Sequence, residues 1–168
     1  MKIPKQFIPQ KFCLKCDGCC RFINSRSGWS PCLLSEEIDF FKKKGISFFL
    51  RPKTKKVKLV FSKGYYFCPF FNPDKNCCSV YHFRPLDCEL YPFLLRKRAK
   101  KIYLSIDKNC PYIEKTFGNK EFKTYLNTLI KFLKQSKVKR LIRHNRRIIG
   151  FFPQKSVVNL SRLSLSSK

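Results

Sequence analysis

Cys13-x-x-Cys16-x-x-Cys19-Cys20 stacks two C-x-x-C turns and then adds a further thiol. Two intervening residues let a chain fold back so that both sulfurs reach one metal, at about 2.3 Å each. Asp17-Gly18 supplies turn residues for such a knuckle. Side chains of adjacent cysteines diverge, so Cys19 and Cys20 are expected to face different sites, or one of them to be spare. A second group follows downstream: Cys68, Cys78 and Cys88, then Cys110. Eight thiolates, Cys13, Cys16, Cys19, Cys20, Cys68, Cys78, Cys88 and Cys110, match the need of two tetrahedral four-sulfur sites. Cys32 and Cys77 are then left over.

Ten cysteines in 168 residues mean either disulfides in an oxidising compartment or metal in a reducing one. The opening MKIPKQFIPQKFC has no apolar run of signal-peptide length. No stretch approaches the roughly 18 to 20 apolar residues of a membrane span. A cytoplasmic location with reduced thiols is the expectation, and it favours metal. Soft thiolates suit zinc, iron–sulfur clusters and Cu(I) alike. The C-x2-C-x2-C run of Cys13, Cys16 and Cys19, with Pro after Cys68 and after Cys110, leans toward iron.

Other side chains surround this set. Arg84 lies between Cys78 and Cys88; its guanidinium can bond sulfur and offset thiolate charge, or stack on Tyr81 or Tyr91. Asp87 is expected to cap a turn or bond Arg84. His82 and His144 are expected in solvent. No G-x-S-x-G, Walker loop or Gly-rich dinucleotide turn is present. Glu36 and Glu37 read as a helix start, and no carboxylate pair suits acid–base work.

The net charge is +27, from 37 Lys and Arg against 10 Asp and Glu. It is spread along the chain. It points to an anionic partner such as nucleic acid, or it reflects coding composition alone.

The elements that must position these groups read as α+β: a small irregular metal-organised domain with short β-hairpins and a C-terminal amphipathic helix. Ser35 starts a helix as N-cap, with Ile38 and Phe41 inward and Gly45 as terminator. Val57, Leu59 and Phe61 alternate with Lys as a strand, and Ser62-Lys63-Gly64 turns into a second strand at Tyr65 to Cys68. Residues 69–92 read as irregular, with short helical turns near Val80 to Phe83 and Cys88 to Tyr91. Phe93 to Leu95 and Ile102 to Ile106 form another hairpin. Phe122, Tyr125, Leu126, Leu129, Ile130 and Leu133 make one helical stripe over 119–134, continuing less cleanly to Gly150. Three parts result: a cysteine domain at 1–118, a basic amphipathic helix at 119–150, and a loose tail at 151–168.

CLKCDGCC at 13–20, then Cys68, then CSVYHFRPLDC at 78–88 with Tyr91-Pro92 after it resembles the YkgJ-like CxxCxxCC cysteine-cluster family. That family carries CxxCxxCC, a lone Cys, and C-x-[IV]-Y-x-x-R-P-x-x-C with an aromatic–Pro pair. The match runs over roughly residues 12–111. Glu89, where the family usually has a basic residue, and the vicinal Cys77 depart from the pattern. The resemblance implies zinc or iron chelation through Cys13, Cys16, Cys19, Cys20, Cys68, Cys78 and Cys88, with Cys110 in the later Cys-Pro position. Some relatives are described as flagellin lysine N-methylases, which would bring S-adenosylmethionine as cofactor. A metal-scaffolded nucleic-acid binder is the other alternative, resting on a basic helix from Lys131 to Arg147.

Overall fold

The protein was analysed as a computed structural model that describes residues 4–16 and 18–166. It is α+β, with helices and small antiparallel sheets. Two compact units divide it: Pro9–Glu89, and Met1–Ile8 with Leu90–Lys168.

In the unit Pro9–Glu89, a single helical turn α1 (Gln10–Cys13) leads into strand β1 (Arg21–Phe22). Helix α2 (Ser35–Lys43) follows. Its N-cap is Leu34, one residue before the expected Ser35. Glu37 explains the shift: its Oε2 accepts from the Leu34 backbone N–H at 2.8 Å, satisfying a donor that a Ser cap would otherwise serve. Phe41 is buried from this helix, and Gly45 at φ +67° ends it, a conformation with no Cβ penalty for glycine.

Strands β2 (Val60–Ser62) and β3 (Tyr65–Phe67) form the expected hairpin, and β1 pairs with the other edge of β3. Lys63 and Gly64 both have positive φ, the pairing that matches strand twist in two-residue hairpins. The inward alternation holds only for Val57 and Leu59; Phe61 is exposed. Residues 69–92, expected to be irregular, include a hairpin of two-residue strands, β4 (Phe71–Asn72) with β5 (Cys77–Cys78). A 3₁₀ turn (Tyr81–Phe83) and helix α3 (Leu86–Leu90) follow. The core of this unit is aromatic. Phe41 meets Phe48, Phe70 and Phe83 edge-on, with ring centroids 5.2 to 6.1 Å apart. Cys68 is buried in that core, and Cys20 and Cys78 pack against it.

The second unit is built on a sheet of β6 (Phe93–Arg98), β7 (Lys101–Asp107) and, later in the chain, β8 (Val157–Leu163) in the order β6-β7-β8. Between them lie α4 (Pro111–Thr116), α5 (Lys120–Lys134) and α6 (Ser136–His144). The β6–β7 hairpin is as expected. Asn119 caps α5, accepting from Phe122 N–H at 2.8 Å. Phe122 stacks on Phe93 at 5.8 Å, and Leu129 is fully buried.

Two expectations are corrected here. The long basic helix breaks at Gln135, whose backbone is extended. Leu133 and Val138, both buried, are five residues apart, one too many for a continuous apolar stripe. The tail is not loose: Val157–Leu163 pairs along β7. Val157, Val158, Leu160 and Leu163 are strand formers, and their signal is masked in sequence by interspersed Ser and a register shift opposite Leu104/Ser105.

Candidate metal centre

Six cysteines of the unit Pro9–Glu89 come together from separate pieces of chain. Cys13 ends α1, Cys19 and Cys20 close the knuckle, Cys68 follows β3, Cys78 ends β5, and Cys88 sits inside α3. The Cys19 and Cys20 sulfurs lie 4.0 Å apart, and each acts electrostatically on or with Cys68 and Cys88. Asp17, expected as a turn residue here, lies outside the described residues. Gly18 sits close to Cys16; a Cβ there would stand 3.5 Å from the Cys16 sulfur.

The thiols hold each other uncharged. The contact with Cys20, then burial, pushes Cys19 well above the ordinary thiol range. Cys20 is lowered by its contact with Cys19 but raised on balance by burial and by Cys68, Cys88 and Cys78. Burial pushes Cys68 up to about 12, aided by Cys78 and Cys19. Burial, then Cys68 and Asp87, drives Cys88 well up. Burial also raises Cys78, against the pull of the Val80 backbone and Arg84. Burial of the thiolate is the main cost for Cys68, Cys78 and Cys88, and repulsion from the neighbouring thiols adds to it.

Arg84 does both things its position allowed. Its guanidinium stacks over Tyr81 at 4.0 Å and its Nε donates to the Tyr81 carbonyl at 3.1 Å. Its Nη1 stands 4.0 Å from the Cys13 sulfur. His82 is exposed, as expected.

Two carboxylates, one expected at a helix start and one at a turn or on Arg84, hold the chain beside Cys88. Glu37 accepts from Leu34 N–H through Oε2 and from Leu86 N–H through Oε1 at 2.6 Å, so it ties the start of α2 to the start of α3. Asp87 does not bond Arg84 in the contacts described. It accepts from the Cys32 N–H at 2.9 Å. Between them they pin residues 32–34 against 86–88. The available signal was a Glu at the third helical position, but its second partner is 49 residues away and invisible locally.

Cys32 is a buried thiol 3.8 Å from the Thr54 carbonyl, pushed by burial to about 12. Cys77 pairs opposite Asn72 and is partly exposed. Cys110 belongs to the other unit, where it is buried at the N-terminus of α4.

As placed, no three His, Cys, Asp or Glu side chains among the described residues stand in a group that could hold a metal ion. The thiols are gathered but not preset. In kind they fit a thiophilic metal: six soft sulfur donors, five of them desolvated, with a guanidinium at their edge. The family model of CxxCxxCC, described as a "putative zinc- or iron-chelating domain", matches residues 12–115. The chain belongs to this CxxCxxCC family. The match takes in both cysteine groups and extends past Cys110. No curated protein and no solved structure matches the chain. No helix among the described residues is long and apolar enough to cross a membrane.

Proposed function

We propose that the unit Pro9–Glu89 binds zinc or iron through thiolates drawn from Cys13, Cys19, Cys20, Cys68, Cys78 and Cys88, and that the metal's first role is to fasten this unit together. The observation that carries the reading is the gathering of six thiols from chain segments up to 75 residues apart. Cys16 and Cys110 stay in the ligand set on their sequence positions alone. A bound metal supplies cross-links. The strands here are two or three residues long, and such short pairings are marginal by themselves. Metal binding then contributes folding free energy directly. Arg84 bonds a ligand sulfur and offsets thiolate charge, as outer partners do in thiolate sites. Between the two metals, the spacing of Cys13, Cys16 and Cys19 favours iron.

The test is anaerobic purification followed by metal and acid-labile sulfide analysis with a visible spectrum. Iron with sulfide and charge-transfer colour means an iron–sulfur centre. Colourless stoichiometric zinc means a structural chelate. Protein that is folded yet takes up neither metal in stoichiometric amount defeats the proposal.

A further inference from the structure

In the unit that holds the three-stranded sheet, one aromatic ring is placed where a core residue would not be. Phe151 is 73% exposed. It is held there by backbone: Gly150 N–H donates to the Leu95 carbonyl at 2.8 Å, and Lys97 N–H donates to the Gly150 carbonyl at 2.9 Å. Gly150 has a second role. A Cβ there would come within 2.5 Å of the Phe152 ring, so the glycine lets Phe152 lie over the chain. The Lys97 ammonium stands 5.6 Å from the centre of the Phe151 ring.

Further cations neighbour Lys97 and Phe151 along the chain. Lys97 and Arg98 are exposed at the end of β6, and Arg146 and Arg147 are exposed in the 3₁₀ turn (Arg146–Ile148) that precedes it. Residues 131–147 carry eight Lys and Arg and no Asp or Glu. We propose that Phe151, with Lys97, Arg98, Arg146 and Arg147, forms a binding surface for single-stranded nucleic acid. The ring is a platform for one unstacked base, and the four cations take the flanking phosphates. Base–aromatic stacking with a cationic track is the general device for binding single strands without sequence preference. An anionic membrane is the less apt partner. Of the apolar residues of α6, Val138 and Ile142 are buried and Leu141 is half-buried, so that helix offers too narrow an apolar face to lay into lipid.

The test uses the full-length, metal-loaded protein and a fluorescent oligo-dT, a duplex of the same length, and phosphatidylserine vesicles. Oligo-dT binding is expected to weaken with salt with a log–log slope of about −3, from four phosphate contacts at about −0.7 each. Phe151→Ala should weaken oligo-dT binding on the order of tenfold and leave duplex binding near wild type. Arg146→Glu with Arg147→Glu should flatten the salt slope by about half. Phe151 is exposed, so its variant is expected to melt as the wild type does. No binding at low salt, vesicle binding without oligo-dT binding, or equal effects of Phe151→Ala on single strand and duplex would each overturn the proposal.

Discussion

Glu37 offers a test of how α3, and with it Cys88, is held. Burial pushes its carboxyl from an ordinary 4.5 up to about 7, against the pull of the Leu34 and Leu86 N–H donors; Asp87 and Glu89 add to the rise. A carboxyl whose folded value is raised favours folding most when protonated. Its contribution is complete below the unfolded value near 4.5 and is lost as pH climbs through the folded value near 7. The full swing is about 3 kcal/mol at 1.36 kcal/mol per pH unit. Between pH 5.5 and pH 8 about 2 kcal/mol of it falls within reach. Glu37→Gln removes the titration. It also sets an amide donor against one of the two backbone N–H groups, a pH-independent loss of about 1–3 kcal/mol. Urea unfolding of both proteins, metal-loaded and with retained metal measured at each pH, gives the comparison. The stability difference between wild type and variant should narrow by about 2 kcal/mol from pH 5.5 to pH 8. A difference that stays flat, or widens with pH, refutes the placement of Glu37 as a desolvated clamp.

Three further outcomes follow from the cluster. Cys13→Ser and Cys88→Ser should each cut retained zinc or iron to about half or less of wild type, whereas Cys32→Ser should leave metal content unchanged; equal loss from all three means the ligand set is wrong. Stripping the metal with a chelator under anaerobic conditions should lower the melting temperature by about 10 °C or more, the scale set by a few kcal/mol in a chain of this size, and an unmoved melting curve excludes a structural metal. Arg84→Met should weaken metal retention about tenfold in chelator competition, with Arg84→Lys recovering part of it; full retention in both variants shows that Arg84 serves Tyr81 alone.

Much of this protein was legible where the pattern is local. The Phe122–Leu133 stripe, the Lys63-Gly64 turn and the basic β6–β7 hairpin each sit within a few residues of their own signal. The metal centre was legible as a cysteine pattern but not as a grouping. Sequence spacing suggested two sets of four. Within the unit Pro9–Glu89, Cys13, Cys19, Cys20, Cys68, Cys78 and Cys88 act on one another electrostatically, and Cys110 belongs to the other unit. The local roles of Glu37 and Asp87 were legible, but not their long-range bonds, because each accepts from a backbone N–H far along the chain. The break at Gln135 and the strand at Val157 escaped for a different reason. One extra residue in a helical period, and one register shift in a strand, each blur a pattern that depends on strict repetition.

The electrostatics of the cluster argue for a cation in their own right. The chain carries only 10 acidic side chains against 37 basic ones, yet Glu37, Asp87 and Glu89 all lie on the side of Cys88. Each has its carboxyl pushed up, first by burial. A protein this basic had cations to spare for that pocket. Instead, Lys56, itself held below the ordinary ammonium range by burial, and Arg84 are the basic groups that pull on these carboxyls. Acids beside thiols make each thiolate harder to form in the absence of a counter-charge. A divalent metal reverses that balance at once, because it supplies two positive charges at the sulfur itself. Asp87, which adds to burial and Cys68 in keeping the free Cys88 thiol protonated, then favours the loaded state. On this account Asp87→Asn should ease ionisation of Cys88 and raise its alkylation rate in metal-free protein, while leaving the metal-loaded thiol protected. An alkylation rate that Asp87→Asn leaves unchanged would detach the acids from the centre and reduce them to backbone clamps.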